Sequence, residues 1–305
     1  MLLNRIFYTL KPAIPRRLQI FPRRQVALYK RKKYAHIWPI DPKAGNPPDG
    51  WKGWPDGKQF SLVLSHDVDT QKGNDSVSKL IKIEEELGFR SSFNFVPERY
   101  QNSNSLQKDL CNKGFGIGVH GLKHDGKLFH SRKIFKQRAA KINAYLIKWK
   151  TNGFSSPSML HNLDWLKALN ITHSTSTFDT DPFEPQPDAS RTIFPFWVGD
   201  DHYSAGYLEL PYTLPQDHLL FVILQEKTID IWKKKLDWIT GNGGMALLNT
   251  HTDYMNFTGG VLSDEEYPVT FYSDFLNYIK QKYSDQYWNA LPSDVVRFWK
   301  KSSPR

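Results

Sequence analysis

At 305 residues with one cysteine, Cys111, the chain can hold one large α/β barrel or two ordinary domains, and an intrachain disulfide is excluded. Its formal charge of +10 lies in residues 1–40, which carry ten basic side chains and no acidic one, while residues 41–305 balance thirty-one against thirty-one. The high isoelectric point therefore belongs to an N-terminal arm, and nothing in the cysteine usage calls for an oxidising compartment.

In that arm Leu2, Leu3, Ile6, Phe7 and Leu10 share one helical face, and no apolar run reaches the length of a signal-peptide core or a membrane span. Three roles compete for residues 1–34. The arm can dock on the body, lie on an anionic membrane surface as basic interfacial helices, or bind nucleic acid, for which no recognised motif is present. The expected location is cytoplasmic, and peripheral at the inner membrane face if the arm meets lipid. Residues 35–58, rich in Pro, Gly and Trp, read as an ordered connector, so the division is an arm and connector over 1–58 and a main domain over 59–305.

From Phe60 short apolar runs alternate with amphipathic ones. The pattern predicts strands at 60–65, 91–97, 116–119, 153–157, 171–177, 207–212 and 245–250. It predicts helices near 75–87, 105–112, 131–149, 162–169, 227–240, 271–283 and 292–301, with Cys111 buried by default. Strand and helix alternating about seven times implies a parallel sheet curled into a distorted (β/α)7-type barrel. The long Pro- and aromatic-rich loop 178–206 reads as an ordered lid or cleft wall.

Three strand ends carry chemistry. Phe60–Leu64 runs into Ser65-His66-Asp67-Val68-Asp69, where the aspartates either cap the next helix or serve a site. His120 ends the third strand, and His124 follows four residues later; as a bare pair the two could equally be loop histidines satisfied by hydrogen bonds. Two imidazoles and one carboxylate match a three-ligand zinc-type site with a fourth position open, and the other carboxylate could act as base. Met245-Ala-Leu-Leu-Asn-Thr-His251 again ends a buried strand on a histidine, either structural or placed to protonate a leaving amine.

In their order these segments resemble the polysaccharide deacetylases, the NodB-homology domains of carbohydrate esterase family 4, over about residues 55–290. Ser65-His-Asp-Val-Asp69 is similar to the first motif in an Asp-Val-Asp spacing, His120 to His124 to the second, and Leu248-Asn-Thr-His251 to a late Leu-x-x-His motif. Gly153-Phe-Ser-Ser-Pro-Ser158 resembles the third, with Ser155 where the family usually has an arginine that orients the base. The resemblance implies that Asp69, His120 and His124 hold a divalent metal (zinc, with cobalt, nickel or manganese as alternatives). It further implies Asp67 as general base and His251 as general acid.

Substrate contacts are expected from Ser156, Trp197 and Tyr212, with Phe178, Phe183, Phe196 and Tyr254 as further stacking surfaces for sugar rings. By analogy a backbone N–H near Leu210–Tyr212 would bind an oxyanion. Losing the arginine is expected to raise the Asp67 pKa and loosen its orientation unless Arg191 substitutes. Asp179 and Asp181 either orient His251 or cap turns, the second being favoured.

The implied activity is hydrolysis of an amide C–N bond, foremost de-N-acetylation of an N-acetylhexosamine in a cell-envelope polysaccharide or glycolipid. Two alternatives stand beside it. One is a carbohydrate-binding scaffold with impaired turnover, favoured by Ser155; the other is a cyclic-amide hydrolase with the 178–206 loop as its lid.

Overall fold

The computed structural model describes residues 16–200 and 205–302, so the predicted helical face at Leu2–Leu10 lies outside the described residues. In chain order the elements are α1 (Arg16–Lys33), β1 (Phe60–Val68), α2 (Gln71–Leu87), β2 (Ser92–Phe95), α3 (Asn104–Asn112), β3 (Gly116–His120) and α4 (Arg132–Trp149). Then come β4 (Gly153–Ser155), α5 (Leu163–Leu166), β5 (His173–Ser174), β6 (Phe196–Gly199), β7 (Gly206–Glu209), α6 (Asp230–Gly241) and β8 (Met245–His251). The chain closes with β9 (Met255–Asn256), β10 (Tyr267–Pro268), α7 (Thr270–Lys282), β11 (Tyr287–Asn289) and α8 (Pro292–Ser302).

β1 is the hub. It is buried along its whole length, pairs in parallel with β8 on one edge, and shares its other edge between β11 at the start and β2 at the end. The parallel sheet continues through β3, β4, β5 and β7. Just past β7 a parallel bridge from Leu214 to Leu248 links it back toward β8. This curled parallel sheet, with helices around it, is the distorted barrel that the alternation predicts.

Local signals account for the helices. Val77, Leu80 and Ile81 give α2 its buried face, and Gly88 stops it at φ 80°, a conformation that favours glycine. Ser103 and Ser131 cap α3 and α4 by accepting the N–H groups of Leu106 and Ile134. Met245, Ala246, Leu247 and Leu248 are all buried, as a strand enclosed on both faces requires.

Several expectations need correction. β1 does not end at Ser65: β2 and β8 pair with it on both sides as far as Val68 and Asp67, so its polar residues stay inside the ladder. The 178–206 segment is not wholly a loop, since β6 runs back antiparallel outside β7. Cys111 is exposed, with Leu110 beside it filling the core in its place. In residues 35–58, Trp38 and Trp54 are buried in the main core, and the Trp54 indole donates to Gly243 O at 2.8 Å.

α1 docks on the body. Ile20 and Ala27 are buried, Arg24 donates to Val222 O, and Lys30 Nζ donates to Pro182 O at 2.7 Å. Among the described residues no helix is long and apolar enough to cross a membrane.

Candidate metal-binding and catalytic site

Alternation along β1 sorts its polar end. Ser65 and Asp67 share one face with Asp69 beyond them, whereas His66 points to the other side. There His66 Nε2 meets Glu84 Oε1 at 2.9 Å and its Nδ1 meets Thr250 Oγ1 at 2.7 Å; Tyr272 and Ser91 donate to the same glutamate. That closed network of buried polar groups satisfies His66 structurally, which leaves the aspartates to the site.

Asp69, His120 and His124 each offer a ligand atom within 4.8 Å of the others. Asp69 Oδ1 lies 3.3 Å from His120 Nε2 and 3.1 Å from His124 Nε2. Donors bound at about 2.0–2.2 Å to one tetrahedral ion stand roughly 3.3 Å apart, so the spacing suits a shared cation. Asp69 Oδ1 is buried without a hydrogen-bond partner, the condition a cation would relieve. Burial raises the Asp69 pKa, yet the His124 and His120 imidazoles outweigh it and hold the carboxyl well below its ordinary range.

The backbone sets this grouping. His124 occupies the left-handed region at φ 52°, a strained setting for a non-glycine residue. Gly121, at φ 59°, lies so close to Pro157 that a Cβ would stand 2.5 Å from Pro157 Cγ. His120 Nδ1 meets Ser155 Oγ at 3.1 Å; because that hydroxyl donates to Asp67, Nδ1 is the donor in this contact, and Nε2 is turned toward Asp69.

Asp67 is held without any guanidinium. Asn94 Nδ2 donates to Oδ1 at 2.9 Å, Asn249 Nδ2 donates to Oδ2 at 2.9 Å, and Ser155 Oγ donates at 3.1 and 3.3 Å. Asn94 is the register partner of Asp67 across β1 and β2, and glycine at 118 makes room for its amide, whose Oδ1 would lie 2.2 Å from a Cβ there. Where a loosened orientation was expected, two neutral amides and a hydroxyl hold the Asp67 carboxylate. Arg191 does not substitute for the family arginine; its side chain is exposed and its N–H donates to Asp179 O.

His251 is the register partner of Asp67 across β1 and β8. Its Nδ1 meets Asp217 Oδ1 at 2.7 Å and its main-chain N–H donates to Asp217 Oδ2 at 2.8 Å. Tyr267 O–H and the His218 N–H also donate to Asp217. Burial lowers the His251 pKa, but the charge and hydrogen bond of Asp217, with Asp69 and Asp67 behind them, push it up to about 10. Asp217 is thus the orienting acid that Asp179 and Asp181 were candidates to be. Asp179 instead pairs with Lys235 at 2.5 Å, and Asp181 caps the N–H of Phe183.

The expected substrate contacts fare differently. Tyr212 is buried, its O–H lying 2.7 Å from Glu184 Oε1 and 3.0 Å from Asp181 Oδ2; Phe178 packs against it in the core, the rings tilted at 37°. Ser156 is buried and its hydroxyl closes a turn onto Leu160 O. Trp197 sits on the outer strand β6, its ring under the Lys300 ammonium of α8 at 5.7 Å. Each of these three side chains is thus engaged within the protein, in core packing, a turn and an outer strand. The Leu210 and Tyr212 N–H groups donate to Ser174 O and Thr177 O, so neither is spare for an oxyanion. Tyr254 does face the site, its ring centroid 5.2 Å from that of His251.

Sequence reasoning missed Asn94, Asn249 and Asp217, and also Asp253. The carboxylate of Asp253 accepts the Asp69 N–H at 2.9 Å and the Thr70 hydroxyl at 2.5 Å, so it fixes the loop that carries Asp69. An asparagine within an apolar run was the available signal for Asn94 and Asn249.

Comparison with solved structures agrees on the architecture. The chain resembles a "probable Polysaccharide deacetylase" from Pseudomonas aeruginosa PAO1 at 15% identity and TM-score 0.65, covering 88% of this chain and 100% of that one. It resembles PuuE allantoinase at 14% identity and TM-score 0.65, covering 88% and 99%. The fold is that of the polysaccharide deacetylases, the NodB-homology fold of carbohydrate esterase family 4. No protein-family model matches the sequence, and no curated protein does.

Proposed function

We propose that the chain is a metal-dependent hydrolase of amide C–N bonds whose substrate is an N-acetylhexosamine in a cell-envelope polysaccharide or glycolipid. The observation that carries this reading is one convergence at the strand ends. A buried carboxylate, Asp67, and a buried imidazolium, His251, flank the Asp69–His120–His124 donor set across adjacent strands. The name of the Pseudomonas protein supports the substrate class.

Asp69, His120 and His124 would hold the metal. When bound, a divalent cation there supplies Lewis acidity toward the carbonyl and toward water. Asp67, whose three partners all donate to it, keeps acceptor capacity for the proton of the attacking water. The water oxygen adds to the acyl carbon as its proton passes to Asp67. His251, held as the cation by Asp217, then gives its Nε2 proton to the departing nitrogen, so the C–N bond breaks to a neutral amine and a carboxylic acid. The missing family arginine does not favour the scaffold alternative, because Asn94, Asn249 and Ser155 already orient the base.

A cyclic-amide hydrolase is the second reading. Asp67, Asp69, His120 and His251 are all nearly inaccessible, which suits a small ring better than a polymer strand, and one similar structure is an allantoinase. Acetate release from N-acetylated oligosaccharides, measured beside ring opening of allantoin with added Zn²⁺ or Co²⁺, separates the readings. Acetate release supports the first and ring opening the second. Neither activity, from a protein that binds the metal, would leave the scaffold. Asp67→Asn should abolish turnover, by about 10²-fold or more, while metal content stays intact.

A further inference from the structure

We propose that the outward face of α1 is a docking surface for an anionic lipid bilayer. The helix has two unlike sides. Its inner side buries Ile20 and Ala27 and uses Arg24, Lys30 and Arg31 on Val222 O, Pro182 O and Glu226. The outer side carries Phe21, Leu28 and Tyr29 at helical spacing, with Val26 adjacent. Phe21 is 64% and Tyr29 65% exposed, and these four account for most of the large exposed hydrophobic side chains among the described residues.

Apolar groups grouped on one docked helix mark an interaction surface rather than scattered exposure. Charge identifies the occupant. Lys32 and Lys33 are exposed beside the apolar groups, Lys33 lying over the Tyr34 ring, and residues 1–40 contain no acidic side chain. A second copy of this helix would set cations against cations. Anionic headgroups would neutralise them while Phe21, Leu28 and Tyr29 enter the interface, as in a monotopic amphipathic helix.

The surface borders the site. α1 packs on the turn His218–Ile223, which directly follows Asp217, and Lys30 holds the backbone at Pro182. If the hydrolase reading holds, a substrate anchored in that bilayer would be presented beside His251; the docking itself does not depend on catalysis.

The test is co-sedimentation of the full chain, without substrate, with vesicles of pure phosphatidylcholine or of phosphatidylcholine containing phosphatidylglycerol. Binding should require phosphatidylglycerol and weaken with salt. Phe21→Ser/Tyr29→Ser and Lys32→Glu/Lys33→Glu should each reduce it at least about tenfold. Circular dichroism should show both variants folded. Equal binding to neutral vesicles, no binding, or binding that both folded variants retain would overturn the proposal. So would a dimer in lipid-free solution that Phe21→Ser/Tyr29→Ser converts to monomer without any vesicle binding.

Discussion

Asp217 grips His251 twice, through the ring Nδ1 at 2.7 Å and through the main-chain N–H at 2.8 Å. The carboxylate therefore fixes ring orientation and tautomer together, and its charge keeps the proton on the imidazole. A protonated ring can donate, so an acid role fails only as pH rises through its pKa of about 10. Asp217→Asn keeps a hydrogen-bond acceptor but removes the charge. The alkaline limb of the kcat/KM profile should then move to lower pH, with the acid limb unchanged. An unshifted alkaline limb would remove His251 as the acid.

Asn94 acts on Asp67 from across the β1–β2 pair at 2.9 Å. Asn94→Ala deletes one of the donors that replace the family arginine and leaves the metal ligands untouched. We expect kcat to fall about 10- to 100-fold, the range for loss of an orienting partner, with metal affinity unchanged. Asn94→Asp, by placing a like charge beside Asp67, should cost more than the alanine change. The reverse order would contradict a donor role.

The three-ligand set should respond to metal as a unit. A cation that binds only the folded chain stabilises it by about 2.7 kcal/mol at one hundred times its Kd. Calorimetric melting of chelator-treated protein should therefore rise on adding Zn²⁺. In His120→Ala and Asp69→Asn that rise should vanish. If both variants still respond, the ion binds elsewhere.

Glu209 gives a pH signature independent of catalysis. Burial raises its pKa to about 7, against the hydrogen bonds donated by Ser174, Ser176 and Thr177. Below the ordinary pKa both folded and unfolded chains hold the proton, and its stabilising contribution is complete. As pH rises from about 4.5 to 7 the unfolded chain ionises first, and the folded state loses roughly 3 kcal/mol relative to it. Glu209→Gln cannot titrate, so the stability difference between wild type and variant should change across that window and stay flat above it. A difference independent of pH would mean that Glu209 ionises as readily folded as unfolded.

The sequence by itself determined the run of the barrel and the residues at its strand ends. Phe60–Leu64 and Met245–Leu248 are apolar runs followed by Asp67, Asp69 and His251, and such breaks are local, so neighbours along the chain reveal them. Which side chains meet was decided by tertiary structure. Asn94 touches Asp67 because the β1–β2 register sets them opposite, and Ser155 joins His120 through the β3–β4 register. Asp217 reaches His251 from 34 residues away, where its own neighbourhood resembles an ordinary capping turn. Tyr212, Ser156 and Trp197 carry suitable chemistry in suitable segments, and their engagement in core packing, a turn and an outer strand is likewise visible only in the folded chain. Periodicity records which face of an element is apolar; hydrogen-bond partnership depends on register and curvature, which the whole core sets at once.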